Sequence, residues 1–554
     1  MRTGGRILVD QLALQGASAA YLVPGESFLA VLDALYDAPA VRTVVCRHEG
    51  GAAMMAEAAG RLSGRPGIAF VTRAPGATNA TSGVYVAAQG QTPMILFVGL
   101  PPRARAHLTA FQDFDLAALF GGLAKHVEIA SAAARLPETV SRAYQIALNG
   151  RLGPVVIGLP EDVLSESAHV PDAPFVDAAR SEPSEGALAD IAAAIGKAEQ
   201  PIVIVGGPRW SVAAQEAVQA FALRFDLPVA AAFRAQDYLD NRHPSYCGHI
   251  GINMDERLAT AIRASDLLLV IGAPLDEIGT AGWSVITSPV PTQRIIHVHP
   301  AGPDPRDGVR VTDAIVATAD GFARGLAALE PPADKRWRTF RRDLRAGYER
   351  TLRPVPTPGA VQFAEVVRTV AERVPETAII CSGAGNYSQF VHRYTSYRSF
   401  PSSLAPASGS MGYGLPAAIA AKIAHPERTV VAYAGDGCFL MTAQELATAV
   451  QYDLPIVVIV ADNGMYGTIR MHQEKAYPGR VSGTSLVNPD FADLAKSFGA
   501  FGITVRDTAD FEAAFDAAVE CGRPAVIALA LDGEAITPAT TLTAFRTSAL
   551  RERT

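Results

Sequence analysis

The sequence predicts an α/β protein built from three doubly wound parallel-sheet domains. Short apolar runs alternate almost throughout the chain with longer, Ala-rich segments of helical period, a pattern typical of strand–helix units in parallel sheets. The 554 residues are also too many for one hydrophobic core. Stretches rich in Pro, Ala and charge, which lack apolar periodicity, divide the chain into three blocks of similar size.

We place the three domains at residues 1–165, 187–330 and 360–540. Buried parallel strands are predicted wherever a short apolar run is bounded by turn residues. The runs are YLVP, RTVVC, GIAFVT, MILFVG and PVVIGLP in the first block, PIVIVGG, PVAAAF, LLLVIG and RIIHVH in the second, and AIICSG, TVVAYAG, PIVVIVAD and PAVIALAL in the third. The segments between the blocks are predicted to be linkers, and the residues after Ile536 a surface arm.

The composition excludes several classes of protein. A net charge of −7 argues against a nucleic-acid partner, which would require a basic excess on one face. The longest apolar runs are far too short to span a membrane, and the N-terminus lacks the apolar core of a signal peptide. Five scattered cysteines without a C-x-x-C pair indicate reduced thiols, so we expect a cytoplasmic protein.

The sharpest motif is GDG at 435–437, which ends a predicted strand. One strand–helix–strand unit later, the next strand ends at Asn463. Both Asp436 and Asn463 should therefore face the crevice at the carboxyl ends of the strands, where open α/β sheets bind ligands. We expect the intervening helix to start near Thr442, with a capping box between Thr442 and Glu445.

The residue types in this motif suit a magnesium-bound phosphate group. Asp436 supplies a charged oxygen and Asn463 a neutral one, and such hard oxygen ligands are those that Mg²⁺ prefers. The glycines allow close approach of the main chain to phosphate, and a helix N-terminus favours an anion. A lone GDG would more often be a simple turn after a strand. Its pairing with Asn463 and the following GMYG turn favours the binding site.

These residues resemble the thiamine diphosphate motif, in which GDG is followed after about two dozen residues by NN. The resemblance implies that Asp436, Asn463 and the carbonyl of Met465 bind magnesium. Asp462 stands where the family usually has its first asparagine. The resemblance also implies that the diphosphate lies against main-chain groups of Gly437, Cys438, Tyr466, Gly467 and Thr468.

A second signature lies in the first block, in VVCRHEGGAAMMAEAAGR at 44–61. Glu49 follows a predicted strand and precedes an Ala-rich helix. Taken alone, an acid there would only complement the helix dipole. Beside the GDG motif, the segment closely resembles the RHE-x-GAA stretch of the acetohydroxyacid synthase group. There the glutamate hydrogen-bonds the pyrimidine nitrogen N1′ of the cofactor, which gives Glu49 an activating role.

Other loops resemble the same family. In SGSMGYG (408–414), Met411 takes the position of the residue that wedges the cofactor into its bent form, a role that suits a flexible, polarizable side chain; the bland alternative is a core methionine. The Gly409 carbonyl would accept a hydrogen bond from the 4′-amino group. The remaining cofactor-binding residues implied are Pro24, Gly25, Gly385, Asn386, Tyr387 and Ser410.

The resemblance covers nearly the whole chain, in the order pyrimidine-binding domain, middle Rossmann-like domain and diphosphate-binding domain. It implies that Phe111 and Gln112 line the substrate side of the site. His472 stands there where synthases that favour larger 2-oxo acids carry tryptophan. Pro274 replaces an arginine of flavin-binding relatives, which argues against bound FAD.

The family resemblance implies a thiamine diphosphate- and magnesium-dependent carboligase or decarboxylase of the acetolactate synthase type. It would act on a small 2-oxo acid such as pyruvate, with Glu49, Gln112 and Met411 as catalytic residues. Because Glu49 and GDG lie in separate domains, we expect a homodimer or homotetramer with the site at a subunit interface. The alternatives are a simple decarboxylase or aldehyde lyase, a flavin-dependent oxidase, and a non-catalytic paralogue that only binds the cofactor.

Overall fold

Three six-stranded parallel sheets form the protein, which confirms the predicted fold class. The computed structural model describes residues 1–106 and 108–553. Each sheet is flanked by helices that follow its strands in the chain. A small antiparallel pair, Arg2–Thr3 with Ser167–Ala168, joins the start of the chain to the end of the first sheet region.

The N-terminal sheet contains the strands predicted for the first block and one more. In spatial order its strands are Arg42–Val45, Ala19–Leu22, Gly67–Val71, Met94–Leu100, Pro154–Pro160 and His126–Ile129. Its helices are Gly4–Leu14, Leu29–Tyr36, Glu49–Ser63, Ala74–Gln89, Leu116–Phe120, Leu136–Leu148 and Glu161–Ser165.

The middle sheet follows the order of a dinucleotide-binding fold, in which the chain reverses direction across the sheet after its third strand. In spatial order its strands are Tyr246–His249, Val229–Ala231, Pro201–Val205, Leu267–Ile271, Arg294–His299 and Asp313–Val316. Its helices are Glu185–Lys197, Val212–Phe225, Glu256–Ala264, Ala319–Gly325 and Arg338–Thr351.

The C-terminal sheet repeats the strand order of the N-terminal one. In spatial order its strands are Ser403–Leu404, Ile379–Ser382, Val430–Gly435, Val457–Asp462, Ala525–Ala530 and Phe501–Val505. Its helices are Phe363–Arg373, Tyr387–Tyr394, Gly414–Ala424, Asp436–Leu440, Leu446–Gln451, Gly467–Ala476, Phe491–Ser497, Phe511–Glu520 and Leu542–Arg551.

One hydrophobic core lies between the N-terminal and C-terminal sheets, each of which also packs a further core on its other face, and the middle sheet has its own core. The Ala-rich helix Glu49–Ser63 lies at the centre of the shared core, packed against the helices Ala74–Gln89 and Gly414–Ala424. Small side chains are required there: a Cβ on Gly83 would lie 2.4 Å from that of Ala53. This packing fixes the position of the residue at the start of the helix, Glu49.

The second predicted linker differs from the structure. It contains the helix Arg338–Thr351, and the fully buried Trp337 just before it belongs to the core of the middle sheet. Tyr348 packs edge-on against Tyr246 of the outer strand, with ring centroids 4.9 Å apart. The many arginines of this segment hid its sparse apolar stripe from the sequence pattern.

The predicted surface arm is partly helical. The helix Leu542–Arg551 packs against the helix Gly467–Ala476, and Arg546 donates to the buried Glu474 carboxylate at 2.7 and 2.8 Å. Throughout the described ranges, 1–106 and 108–553, no helix has the length and apolar character needed to cross a membrane.

Candidate active site

A cavity of about 230 Å³ opens at the carboxyl ends of three strands of the C-terminal sheet, namely Ile379–Ser382, Val430–Gly435 and Val457–Asp462. These strands are adjacent, so the residues that follow them converge on one crevice. The structure brings most of the predicted cofactor residues together here. Those that line the cavity are Gly385, Asn386, Tyr387, Gly409, Met411, Asp436, Gly437, Cys438, Asn463, Met465, Tyr466, Gly467 and Thr468.

The Asp436 carboxylate is the charged group of this cavity. It is buried, and it accepts hydrogen bonds from the main chain of Gly437 at 2.8 Å and Met465 at 3.1 Å. The Asn488 amide donates to it as well, at 2.9 Å. Burial raises the pKa of the Asp436 carboxyl above its ordinary value, although these hydrogen bonds oppose the shift. A bound cation would favour the charged form.

The charge distribution fits a diphosphate group that is accompanied by a cation. Among the described residues that line the cavity, none is Lys, Arg or His. The helices Tyr387–Tyr394 and Gly467–Ala476 both begin at its wall, and helix N-termini attract anions. An anion beside the Asp436 carboxylate nevertheless needs a cation between the two negative groups. The side-chain oxygens of Asp436 and Asn463 are ligands of the kind that a hard cation prefers. Within residues 1–106 and 108–553 no group of three or more His, Cys, Asp or Glu side chains is arranged to hold a metal.

Side-chain hydrogen bonds lock the two helix starts to each other. Thr468 donates its hydroxyl to the Asn386 side-chain oxygen at 3.0 Å, and the Asn386 amide contacts the Met471 sulfur at 3.4 Å. Asn386 is 7% exposed, so this bridge is largely shielded from water. The walls of the cavity are therefore held in a fixed relation.

The loop that carries Met411 is clamped at its next residue. The Gly412 amide donates to the Cys438 sulfur at 3.1 Å, and the Gly412 carbonyl accepts from the Thr442 hydroxyl at 2.7 Å. Gly412 has a φ of 83°, a conformation that favours glycine. Met411 itself lines the cavity, and its wedge role stays a prediction.

The predicted capping box is wrong. A short helix begins at Asp436, directly after Gly435, and a helical turn does begin after Thr442, at Ala443–Glu445, as predicted. The Thr442 hydroxyl, however, donates to the Gly412 carbonyl and caps no helix. Glu445 accepts instead from the main-chain N–H groups of Arg47 and His48, at 3.1 and 2.9 Å. Burial raises the pKa of the Glu445 carboxyl. This acid therefore joins the C-terminal region to the segment that precedes Glu49.

Glu49 is the first residue of the helix Glu49–Ser63, and its side chain does not line the cavity. The Asn79 amide donates to its carboxylate at 2.9 Å. Gly76 leaves room for it, since a Cβ there would lie 3.3 Å from the Glu49 oxygen. The Asn79 side chain thus orients the acid, a contact that the sequence analysis missed.

Phe111 and Gln112 lie on the side of the N-terminal sheet that also carries Asn79. The Gln112 carbonyl accepts from the amide of Ala74, the first residue of the helix that bears Asn79, at 3.2 Å. The Phe111 carbonyl accepts from the Arg73 side chain at 3.1 Å. The Phe111 ring is 72% exposed, far more than a core residue would be.

The other predicted site residues lie outside the cavity lining. Pro24 and Gly25 follow the strand Ala19–Leu22 of the N-terminal sheet, and Ser410 stands beside the lining residue Met411. His472 is exposed on the helix Gly467–Ala476. Their roles stay predictions.

Pro274 lies at a second cavity, of about 570 Å³, between the first and middle sheet regions. Arg61, Arg234 and Trp210 also line it. The expected absence of FAD stays a prediction, which the absorption spectrum of the purified protein tests directly.

Comparison with protein families agrees with the three sheets. Residues 2–119 match the thiamine pyrophosphate (thiamine diphosphate) enzyme N-terminal TPP binding domain. Residues 188–326 match the central domain of these enzymes, and residues 383–529 match their C-terminal TPP binding domain. The last range contains two of the three strands at the cavity, Val430–Gly435 and Val457–Asp462, and the loops that carry Gly385, Met411 and Met465.

Several acetolactate synthase large subunits are similar to this chain over nearly its full length. The acetolactate synthase large subunit of Parasynechococcus marenigrum is 31% identical over 544 residues, which cover 95% of this chain and 87% of that protein. The acetolactate synthase isozyme 2 large subunit of Escherichia coli is 28% identical, over 96% and 95%. The acetolactate synthase large subunit of Corynebacterium glutamicum is 30% identical, over 95% and 86%.

Proposed function

We propose a function from the family of this chain, which belongs to the acetolactate synthase-like thiamine pyrophosphate enzymes. The protein joins two small 2-oxo acid molecules, such as pyruvate, and releases carbon dioxide. The observation that carries the proposal is the cavity in which Asp436 and Asn463 meet two helix N-termini. Its lining matches a diphosphate with a hard cation and offers no basic side chain as a substitute.

We propose magnesium as that cation. Asp436, Asn463 and the Met465 carbonyl would hold it, and all three residues line the cavity. When bound, the cofactor would accept the electron pair that is left when the bond between the carbonyl carbon and the carboxylate of the substrate breaks. The protein would hold the cation through these oxygens and fix the cofactor between the two helix starts.

Glu49 is proposed to hold and move the proton at N1′ of the aminopyrimidine ring. Asn79 fixes its carboxylate from one side, and Glu445 holds the main chain just before it. Met411, clamped through Gly412, would support the bent cofactor. Phe111, Gln112 and His472 would contact the substrate.

The acid and the metal ligands are proposed to meet across two copies of the chain. Glu49 lies outside the cavity that holds Asp436, although both have to touch one cofactor. A symmetric dimer would form two such sites, because the Glu49 side chain of each copy would reach the cavity of the other copy. A homotetramer would be a pair of such dimers. The free cysteines, none paired within the described chain, are consistent with the proposed cytoplasmic location.

Pyruvate turnover by the purified protein tests the function, with and without thiamine diphosphate and magnesium. We expect cofactor-dependent release of carbon dioxide and formation of acetolactate. Acetaldehyde as the product would identify a simple decarboxylase instead. Tight magnesium-dependent cofactor binding without turnover would direct the search to other 2-oxo acids, and failure to bind the cofactor would overturn the proposal.

A further inference from the structure

We infer that Asn488 is a positioning residue for the Asp436 carboxylate, an inference that rests on the proposed magnesium site. Its side-chain amide donates to the Asp436 carboxylate at 2.9 Å and to the Asp462 carboxylate at 2.8 Å. Asn488 follows neither a predicted strand nor a recognised motif, so no sequence pattern singled it out.

The two carboxylates that Asn488 bridges are neighbours in the sheet. Asp462 ends the strand Val457–Asp462, and Asp436 follows the adjacent parallel strand directly. Like charges this close repel one another. An amide nitrogen carries two hydrogens, so one side chain can donate to both acids at once. The reversed amide would place its oxygen against both carboxylates, which fixes the orientation.

The hydrogen bond from Asn488 to Asp462 compensates for the position at which this chain differs from the family motif. Where the family has a neutral asparagine, this chain has Asp462, which adds a second negative charge beside Asp436. Asp462 also accepts from the Gly464 amide at 3.2 Å. With the Asn488 and Gly464 donors engaged, the Asp462 carboxylate is held away from the cavity, and Asp436 and Asn463 remain the residues that line it.

Asn488 is held in place by the turn that bears the third proposed magnesium ligand. The Tyr466 amide donates to the Thr484 carbonyl at 2.9 Å, and the Leu486 amide donates to the Gly464 carbonyl at 2.8 Å. Met465 and Ser485 form an antiparallel bridge between these two bonds. The segment before Asn488 is thereby paired with the Met465 turn, and this pairing fixes the Asn488 amide relative to the Met465 carbonyl.

The other end of the Asn488 amide is also suited to a hydrated cation. Its Oδ1 is buried and has no hydrogen-bond partner within the described residues. Buried acceptors are normally satisfied, and a water ligand of the cation has hydrogens to donate. Groups that orient metal ligands in this way typically change metal affinity by about 10–100-fold when removed.

Asn488→Ala tests the inference, with Val487→Ala as the matched control. Val487 is the neighbouring residue and is fully exposed at 101%, so its side chain holds nothing in place. Calorimetric titration of Mg²⁺ into protein with saturating thiamine diphosphate gives the metal affinity without any turnover. We expect Asn488→Ala to weaken Mg²⁺ binding by about 10–100-fold and Val487→Ala to stay within about twofold.

Two further variants keep the test decisive. Asn488→Ser retains one hydroxyl donor, so it should lie between wild type and Asn488→Ala, and it replaces the alanine variant if that one fails to fold. In an Asp462→Asn background the penalty of Asn488→Ala should shrink, because only one carboxylate remains to be bridged. An equal penalty in both backgrounds would contradict the bridging role.

The outcomes separate this inference from the proposed function. If the wild-type protein does not bind the cofactor with Mg²⁺, the proposed function is wrong. If wild type binds and Asn488→Ala binds Mg²⁺ within about twofold of it, Asn488 is not a positioning residue. A lower unfolding temperature with unchanged Mg²⁺ affinity would likewise assign Asn488 a purely structural role and overturn the inference.

Discussion

The N-terminal and C-terminal sheets share one strand order but use their carboxyl ends in opposite ways. In the C-terminal sheet the crevice is open and holds Asp436. At the same end of the N-terminal sheet, close contacts join the strand ends: Ser27 and Thr72 are hydrogen-bonded at 2.8 Å, and a Cβ on Gly99 would lie 2.1 Å from the Ser27 hydroxyl. The same topology thus provides a binding site in one region and a rigid support for Glu49 in the other.

Replacing Glu49 is expected to give the largest effect and tests whether the two regions have separate roles. We expect Glu49→Gln to lower turnover by about 10²–10⁴-fold, because the amide cannot exchange a proton with the cofactor. Magnesium-dependent cofactor affinity should change little, since the cavity lies in the other region. Steady-state kinetics and calorimetry measure the two quantities. Glu520→Gln, at an exposed helix end, is the control. An equal loss of affinity and turnover would contradict the division of roles.

Mixing two inactive proteins tests whether the regions meet across subunits. Each variant, Glu49→Gln or Asp436→Ala, lacks one half of every site. Mixed dimers, formed by co-expression, would contain one intact and one doubly defective site. An equal mixture should therefore recover about a quarter of wild-type activity if acid and metal ligand come from different copies. No recovery in verified mixed dimers would place both groups in one chain.

The third prediction concerns the hydrogen bond between Tyr413 and Glu57, which joins the two regions. The fully buried Tyr413, two residues after Met411, donates its hydroxyl to the buried Glu57 carboxylate at 2.5 Å. Tyr413→Phe leaves that acid without one donor, so we expect a loss of about 1–3 kcal/mol in the free energy of unfolding. Urea denaturation measures it. The control is Tyr36→Phe, because Tyr36 is 90% exposed. Equal stability of the two variants would contradict a joining role for Glu57.

The smallest effect concerns the C-terminal helix. Arg546 is the main reason why the pKa of Glu474 is lowered to about 2. Its stabilising effect is complete above the ordinary glutamate pKa and is lost as the pH falls towards 2. We expect Arg546→Ala to destabilise the protein by about 1–2 kcal/mol at pH 7, with a difference from wild type that shrinks on acidification.

Thermal unfolding over a pH series measures that difference. Arg368→Ala removes an exposed ion pair with Glu372 and should stay within about 0.5 kcal/mol of wild type. A pH-independent loss in Arg546→Ala would show that the arginine acts by packing alone.

Sequence patterns located the central strands of the three large sheets, but of their six edge strands only Arg42–Val45 was predicted. The strands of the three large sheets that were overlooked all lie at sheet edges: His126–Ile129, Tyr246–His249, Asp313–Val316, Ser403–Leu404 and Phe501–Val505. An edge strand is short or carries polar residues, so it lacks the continuous apolar run of a strand buried on both faces. The central runs, by contrast, were found in every sheet.

The site shows the same limit. Asp436 and Asn463 were predictable because each ends a buried strand, and strand ends converge by topology. Asn79, Glu445 and Asn488 act through contacts with residues 26 to several hundred positions away. No local period or motif encodes such contacts, because loops and helix packing bring the partners together.

The bond between Glu57 and Tyr413 also has a consequence for biosynthesis. At about 5–20 residues per second, the ribosome delivers Tyr413 roughly 20–70 s after Glu57. During that interval the Ala-rich helix Glu49–Ser63 lacks one of its two packing partners, the helix Gly414–Ala424, because the shared core contains residues of both sheets. The middle sheet, whose core is its own, can be completed first although it is made second. In nascent chains the middle sheet should therefore be complete before the core that the two flanking regions share can close.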